Sequence, residues 1–436
     1  MLDQRAWALL RRLTGWLDQF KDCFGHRAQH VSLRQYVDGL LGDSARKSMS
    51  AMLERITEPT SYQAFQHFIT HAPWDAEVVW RRLRAVTPER TGILILDETS
   101  VPKSGPHSVG AARQYCGALG KVANCQVAVT AALWTGHRAW PMGALLYLPE
   151  TWTADSARRT TVRIPATVEF QEKWRLALTL VRRTRAAAVT LTAVVADAEY
   201  GDNSTVRQTL HRLRLPYALG ISPTLTMFRG TPTLRIDRQQ PPPRNRHDGW
   251  PDQEPLSVRA LSAALPTRAW RHVAWRNGTN PPWEADFAAR RVTPATDWRH
   301  RRLAPEVWLL CERGLGPTGR RKHYLVSLPA SLTQLVRLAH HRWAIEQHYQ
   351  DLKTELGLDH FEGRTYPGWQ HHLVISAVAY AFVQRERMRP HEGLRLTFPQ
   401  ARAFVQEIFT GLLFISRPRY MQWLKQAEQR LRQLRI

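Results

Sequence analysis

The stretch ILILDETS, residues 93–100, gives the clearest structural signal in the chain. A run of branched apolar residues leads directly into two adjacent carboxylates, Asp97 and Glu98. Such a run predicts a buried β-strand. Successive side chains of a strand point to opposite faces, so Asp97 shares a face with Ile93 and Ile95 while Glu98 points away. We therefore predict that Asp97 enters a site and that Glu98 has a structural role.

Two more acids stand at informative places. The β-branched run TLTAVVAD predicts a second strand that ends at Asp197, and Glu346 lies within the helical stretch HRWAIEQHYQDLK. Taken alone, each acid has an ordinary explanation as a turn residue, a helix cap or a surface ion pair. Carboxylates that converge at strand ends are, however, good oxygen ligands for Mg²⁺. Two such ions can activate a nucleophile and stabilise the leaving oxygen in phosphodiester chemistry.

The stretch that contains Glu346 is predicted to be one long helix that begins at a Ser331 cap. At 3.6 residues per turn, Arg342, Glu346 and Lys353 fall on one edge of this helix. An ordinary ion pair between Arg342 and Glu346 would explain part of this pattern. The alternative is a metal ligand that is flanked by two contacts to phosphate.

Changes in composition and in the spacing of apolar residues divide the chain into five segments. Residues 89–222 read as strand, hairpin, helix, strand, helix and strand, which is typical of an α/β domain with a mixed sheet. The predicted segments are a helical, candidate DNA-binding domain (1–88), the first part of the catalytic domain (89–222), an insertion with β structure (223–306), the second part of the catalytic domain with the Glu346 helix (307–370) and a helical, basic C-terminal region (371–436).

The composition points to a polyanionic partner. The chain has 61 Lys and Arg against 37 Asp and Glu, a formal net charge of +24. This balance is typical of nucleic-acid-binding proteins, although it also fits a solvated basic surface. Arg outnumbers Lys, which also fits a GC-rich genome. The four cysteines match no zinc spacing, and no apolar run is long enough to span a bilayer. We expect a cytoplasmic, nucleoid-associated protein without membrane contact.

Three sequence blocks resemble the transposases of bacterial insertion sequences of family 701, which is related to family 4. The blocks are LDETSVPKSGPHSVGAARQYCGALGKVANCQVAV, VVADAEYGDN and RWAIEQHYQDLKTELGLDHFEGR. This resemblance implies an RNase H-like (retroviral integrase) fold in which Asp97, Asp197 and Glu346 form a DDE triad. It also implies that the triad holds two Mg²⁺ ions, with Mn²⁺ as an alternative, and that a β-rich insertion separates the second Asp from the Glu.

Family 4 also has a Tyr, Arg, Glu, Lys signature with two, three and six intervening residues. Arg342, Glu346 and Lys353 fit this signature, but Ala339 stands at the Tyr position. The resemblance implies that Arg342 and Lys353 contact DNA phosphate near the element end. A role that depends on the signature Tyr is not expected here.

The activity implied by the resemblance is cut-and-paste DNA transposition. Water cleaves a phosphodiester at the element end, and the released 3′ hydroxyl attacks either the opposite strand, to form a hairpin, or target DNA. The expected partners are the terminal inverted repeats, the target DNA and a second copy of the chain in a DNA-bound homodimer. Two rival hypotheses remain, namely a metal-dependent nuclease without strand transfer and a non-catalytic DNA-binding protein derived from a transposase.

Other chemically active side chains lie close to the three acids. Glu199 and Asp202 follow Asp197, but Asp197 ends the apolar run and is preferred. Cys116 and His107 are expected to be structural. The histidines around Glu346 are expected to contact phosphate rather than zinc, and they are His340, His341 and His348.

Overall fold

Strand β1 (Thr91–Pro102) lies inside a large mixed sheet. It is antiparallel to β3 (Lys121–Trp134) and parallel to β5 (Thr190–Ala196). The predicted strand that contains Asp97 is therefore the immediate neighbour of the strand that ends before Asp197. The expectation that Asp97 ends its strand is wrong, because β1 stays paired with β3 as far as Pro102. The computed structural model describes residues 4–236, 249–276, 283–296, 298–299, 302–314, 321–389, 396–416 and 418–433.

The rest of the sheet extends on both sides of β1. Its other strands are β2 (Ala112–Cys116), β4 (Ala139–Tyr147), β6 (Tyr217–Ile221), β7 (Thr226–Arg229), β10 (Leu256–Ser257), β11 (Arg271–Arg276), β12 (Trp283–Pro294), β13 (Val307–Arg313) and β14 (Arg321–Val326). The order is β10-β7-β12-β13-β14-β6-β5-β1-β3-β2, with β4 on β3 and β11 on β12. A separate pair consists of β8 (Leu234–Arg235) and β9 (Trp250–Pro251). The predicted hairpin around residues 135–138 is confirmed, because β3 and β4 pair across it.

The sheet is mixed because β1, β5 and β6 are parallel to one another while β1 pairs antiparallel with β3. This confirms the predicted α/β class with a mixed sheet. Residues 223–306 contain the expected β structure, and β7, β10, β11 and β12 continue the same sheet through β13 and β14. Strands β7, β10, β11 and β12 thus belong to the same sheet as β5 and β1, and β13, β14 and β6 lie between the two groups.

Helices cover both faces of the sheet. Those before β1 are α1 (Gln4–Leu17), α2 (Arg27–Leu41), α3 (Met49–Glu54), α4 (Tyr62–Thr70) and α5 (Ala76–Val86), with a 3₁₀ segment at Asp18–Cys23. Those after it are α6 (Glu150–Thr153), α7 (Ser156–Val162), α8 (Lys173–Ala186), α9 (Ala198–Gly201), α10 (Ser204–Arg212), α11 (Val258–Ala263), α12 (Leu332–His340), α13 (Trp343–Gln350), α14 (Tyr366–Glu386), α15 (Phe398–Ser416) and α16 (Pro418–Gln433). The predicted cap Ser331 is confirmed at α12, and Asn203 caps α10.

The helices before β1 pack against α14. Trp16 donates its indole N–H to the carbonyl of Val378 at 3.1 Å, and the hydroxyl of Tyr36 is 2.9 Å from His372 Nδ1. Apolar side chains of these helices, of α14 and of one face of the sheet form one continuous core. The N-terminal helices are therefore built into the same core as the strands that carry the acids.

The prediction of one continuous helix around Glu346 is wrong. Helix α12 ends at His340, Arg342 lies between the helices, and α13 begins at Trp343. The chain then widens, because Asp351–Glu355 forms a π-helical turn. The backbone of Arg342 keeps αR dihedral angles, but the hydrogen bonds around it span three residues instead of four, and its side chain reaches a carboxylate on β1. The extra residue in a π turn rotates Lys353 away from the position that a regular helix would give it.

None of the described helices combines the length and the apolar composition that a membrane span requires.

Candidate active site

Asp97 lies on the face of β1 that α13 covers. On this face Ile95 packs with Ala344 and Ile345, whereas Leu94 and Leu96 belong to the core on the other side. The predicted alternation of the ILILDE run is therefore confirmed. Asp97 is only 8% exposed, and its Oδ1 accepts the backbone N–H of Glu98 at 2.8 Å.

Asp197 stands at the end of β5 and caps the short helix α9. Its Oδ1 accepts the backbone N–H of Glu199 at 3.0 Å. Two glycines allow this turn to lie against β6. A Cβ on Gly201 would lie 1.8 Å from the carbonyl oxygen of Gly220, and a Cβ on Gly220 would lie 3.2 Å from the carbonyl carbon of Asp197. The position of Asp197 thus depends on a close approach of two backbones that few residues other than glycine permit.

Arg342 connects the third acid to the first. Its Nη1 donates to Asp97 Oδ2 and its Nη2 to Glu346 Oε1, both at 2.7 Å. Glu346 itself is open to solvent, with 58% of its side chain exposed. The expected ion pair between Arg342 and Glu346 is present, and the same guanidinium also reaches the buried carboxylate on β1.

The two aspartates share one electrostatic environment. Burial raises the pKa of Asp97 to about 6, with Arg342 opposing this shift and the charge of Asp197 adding to it. Burial also raises the pKa of Asp197, again against the pull of Arg342. Close, desolvated carboxylates whose pKa values are shifted in this way mark a candidate functional site.

The donor set fits a divalent cation in part. Asp97 and Asp197 offer hard carboxylate oxygens of the kind that Mg²⁺ and Mn²⁺ prefer. Within the described residues, however, no three His, Cys, Asp or Glu side chains are grouped closely enough to hold an ion. Glu346 is held by the Arg342 guanidinium instead. The two aspartates are thus the residues that would hold a cation in this arrangement.

Lys353 lies further along β1. Its amine donates to the carbonyl of Ser100 at 3.1 Å, three residues beyond Asp97, and burial lowers its pKa. Lys353 and Arg342 therefore both contact β1, although the regular helix from which they were predicted does not exist. Ala339, at the position of the signature Tyr, is buried in α12.

A cavity of about 420 Å³ opens beside these acids. Asp197, Arg342 and Glu346 line it, together with residues of β6, β12 and β14. Its cationic and aromatic walls are Trp283, Arg321, Lys322, His323, Tyr324, His340 and Trp343. A space of this size with positive side chains around acids suits a phosphodiester backbone.

The histidines near Glu346 do not all lie where the sequence suggested. His348 is 4% exposed and packs on Tyr380, and burial lowers its pKa to about 3. His340 is 3.2 Å from Glu312 and stacks on Trp275. The expected phosphate contact is therefore wrong for His348, because its side chain is inside the core.

The sequence did not indicate that Lys173 and Tyr200 lie near the acids. Lys173 opens α8 and contacts Glu98 and Glu199, while Tyr200 donates its hydroxyl to Glu98. These partners are distant in the chain, so neither periodicity nor spacing could identify them. A lysine at the start of an amphipathic helix is otherwise an ordinary surface residue.

Comparison with known proteins agrees with this geometry. The sequence profile of the DDE superfamily endonucleases matches residues 19–282, which is more than half of the chain. The chain belongs to the DDE superfamily of endonucleases. The matched range contains Asp97 and Asp197, whereas Glu346 lies beyond it, so the assignment of Glu346 rests on its contacts and on the local sequence.

This DDE superfamily member is also similar to a protein of Microchaete diplosiphon described as the probable transposase for insertion sequence element IS701. The two are 30% identical over 189 residues, which is 42% of this chain and 46% of that relative. The similarity thus spans about half the length of the relative. It confirms the resemblance to family 701 on which the DDE prediction was based.

Proposed function

We propose that this DDE endonuclease is a transposase that cuts and joins DNA at the ends of an insertion sequence. The observation that carries the proposal is that Asp97, within β1, lies beside Asp197, at the end of the parallel neighbour β5, with Glu346 linked to Asp97 through Arg342. In this proposal Asp97, Asp197 and Glu346 are the catalytic acids, and Arg342 and Lys353 bind DNA phosphate.

The sheet supports the finer assignment of an RNase H-like catalytic domain. The strands β4, β3, β1, β5 and β6 lie side by side in that order, with β1, β5 and β6 parallel. We propose the division of the chain given by the sequence, with catalytic parts at 89–222 and 307–370 around the insertion at 223–306. Residues 1–88 and 371–436 would supply further contacts to DNA and to a second copy of the chain.

Divalent metal dependence is general among DDE superfamily endonucleases. Bound Mg²⁺ or Mn²⁺, two ions in this proposal, would activate the attacking oxygen and stabilise the leaving oxygen. Asp97 and Asp197 would hold the metal, and Glu346 would complete the set once its carboxylate no longer pairs with Arg342. Burial raises the pKa of Asp97 to about 6, so without a bound cation this carboxyl is largely protonated below that pH.

The side chains of Arg342 and Lys353 would bind the DNA in different ways. The Arg342 guanidinium is planar and suits the paired oxygens of a phosphate, and it lies beside the acids where the scissile group must be placed. Lys353 uses one N–H for the Ser100 carbonyl and has two more for phosphate. Together they would align double-stranded DNA along β1, with the element end at Asp97.

Replacing one acid tests the proposal most directly. Asp97→Asn should abolish Mg²⁺-dependent cleavage of a duplex taken from the DNA that flanks the gene, while leaving its binding unchanged. Glu172→Gln is the matched control, because Glu172 is an exposed acid outside the site. Full cleavage by Asp97→Asn would remove Asp97 from the mechanism and overturn the proposal.

The nuclease without strand transfer is the second candidate, since the same acids would serve it. Duplexes with a pre-cleaved 3′ end separate the two candidates. Joining of that end to target DNA supports a transposase, and cleavage without joining supports the nuclease. Hairpin ends among the products would show that the opposite strand is attacked.

A further inference from the structure

The amine of Lys173 lies between two carboxylates on the side of the sheet opposite Asp97. Its Nζ is 2.8 Å from Glu98 Oε2 and 2.9 Å from Glu199 Oε1. Tyr200 donates its hydroxyl to the other oxygen of Glu98 at 3.1 Å. We call these four residues the Lys173 cluster.

The cluster joins the part of β1 that carries Asp97 to the turn after β5 that carries Asp197. Glu98 follows Asp97 directly on β1, and Glu199 follows Asp197 by two residues in α9. Lys173 belongs to neither segment, since it is the first residue of α8. One ammonium group therefore connects the backbone beside Asp97 to the backbone beside Asp197.

Helix α8, which carries Lys173, is packed firmly against the sheet. Helix α8 packs on β3 and β4 through Ala177, Leu180 and Val181, which are buried. The ammonium group also lies 5.5 Å above the ring of Tyr147. Both Lys173 and Glu98 are only about one-fifth exposed, so solvent screens this ion pair less than an ordinary surface pair.

A connection of this kind is needed because the ligands repel one another. Asp97 and Asp197 are close enough for their charges to interact, and both are largely withdrawn from solvent. The distance between the two carboxylates must nevertheless suit a cation. Residues that contact the metal ligands without touching the metal commonly fix such a distance. The Lys173 cluster is the contact between the two segments that lies on the far side of the sheet.

We propose that Lys173 is a positioning residue that sets the distance between the Asp97 and Asp197 carboxylates for a divalent cation. It touches neither substrate nor cation and acts through Glu98 and Glu199. The inference rests on the proposed function, since it takes the two aspartates as the metal pair. It also gives Glu98 the role of an anchor rather than a ligand.

The test is Mn²⁺ binding by the full-length protein without DNA, measured by isothermal titration calorimetry. Lys173→Met should weaken Mn²⁺ binding by about tenfold to a hundredfold, the usual effect of losing a group that orients metal ligands. Lys173→Arg keeps the positive charge and should restore most of the affinity. Arg175→Met is the matched control on the same helix, because Arg175 is 60% exposed and pairs only loosely with Glu172.

Kinetics separate positioning from a general loss of structure. With the flanking duplex as substrate, Lys173→Met should lower kcat and raise the Mn²⁺ concentration needed for half-maximal rate, while KM for DNA stays unchanged. A residue that only stabilised the fold would not split these parameters. Should Lys173→Met fail to fold, Glu199→Gln removes one arm of the cluster and should weaken Mn²⁺ binding in the same direction.

The outcomes distinguish this inference from the proposed function. If the wild type binds no Mn²⁺, or if Asp97→Asn binds it as the wild type does, the metal assignment fails and the inference fails with it. If Asp97→Asn loses Mn²⁺ as expected while Lys173→Met or Glu199→Gln binds it normally, the proposed function stands and the role of Lys173 is overturned.

Discussion

Arg342 donates a 2.7 Å hydrogen bond to Asp97, which lies 245 residues earlier in the chain. The same guanidinium reaches Glu346, so a protein cation lies among the acids that are proposed to hold a metal. In the proposed function, Arg342 and a divalent cation would therefore compete for the same carboxylates.

This competition predicts that Arg342→Ala binds Mn²⁺ more tightly than the wild type in the absence of DNA. We expect a gain of about tenfold at pH 8, which corresponds to about 1.4 kcal/mol. Cleavage should fall at the same time, because the proposed phosphate contact is lost. Titration calorimetry and a cleavage assay measure the two effects. Arg337→Ala, an exposed Arg on α12, is the control, and weaker Mn²⁺ binding by Arg342→Ala would contradict the competition.

Asp97→Asn should stabilise the protein, and more so at high pH. Folding raises the pKa of Asp97 from 3.8 to about 6, so the folded state binds more protons than the unfolded state between these values. Wild-type stability therefore falls as the pH rises through this window, and the Asn variant lacks this loss. The gain at pH 8 should reach at most about 3 kcal/mol, reduced by the loss of the Arg342 contact. Thermal unfolding in EDTA at pH 4.5 and pH 8 measures it, and an equal effect at both pH values would refute the assignment.

Lys47→Met should also stabilise the protein, but with the opposite pH trend. Burial lowers the pKa of Lys47 from 10.5 to about 7, and Arg402 adds to this shift. The folded state thus binds fewer protons above pH 7, so wild-type stability rises with pH between about 7 and 10.5. Replacing the amine should help most at pH 6, on the order of 2–5 kcal/mol, and little at pH 10.

Urea unfolding at pH 6 and pH 10 measures the effect of Lys47→Met. Lys121→Met, which removes an exposed lysine at the start of β3, should change little at either pH. A larger gain at pH 10 than at pH 6 would show that the amine is charged and well paired in the fold.

Gly201→Ala should damage both stability and cleavage. The new Cβ would lie 1.8 Å from the Gly220 carbonyl oxygen, so the turn after Asp197 must move. We expect a loss of about 3 kcal/mol or more, the upper part of the range for overpacking. Gly15→Ala in α1 meets nothing within 4 Å and should instead gain about 0.5–1 kcal/mol. Unfolding curves together with Mn²⁺-dependent cleavage test both variants, and normal cleavage by Gly201→Ala would show that the turn does not set the position of Asp197.

The N-terminal helices can be tested as a DNA-binding region by removing surface charge. Arg5, Arg11 and Arg27 are exposed on α1 and α2. If each contacts a phosphate, the triple Ala variant should bind the flanking duplex more weakly and reduce the slope of log affinity against log salt by about 3. A double Ala variant at the exposed Arg259 and Arg268 of the insertion is the control. An unchanged slope in the triple variant would exclude these side chains from the interface.

Local patterns in the sequence were sufficient for the existence of β1 and for the end of β5 at Asp197, but not for the end of β1, which continues to Pro102. The alternation of ILILDE separates Asp97 from Glu98 because side-chain direction in a strand depends only on position along it. The same holds for the cap Ser331, which acts within one helical turn.

Long-range contacts account for what the sequence did not predict. The hydrogen bond from Arg342 to Asp97 on β1 joins residues that are far apart in the chain, and helical periodicity contains no information about such a contact. The continuation of the sheet through β12, β13 and β14 depends on strand pairing between distant segments. The partners of Lys173 are 75 residues away at Glu98 and nearer at Glu199, so its contacts could not be derived from spacing.

The shared core of the N-terminal helices and α14 has a consequence for synthesis. Residues 4–86 are synthesised before the helix that they pack against, which begins only at Tyr366. At about 5–20 residues per second, the ribosome needs roughly 15–60 s to make the intervening chain. During that time the apolar faces of α1 to α5 have no α14 to pack against. The nascent protein is therefore expected to need chaperone protection, and its active site can be completed only after most of the chain has been translated.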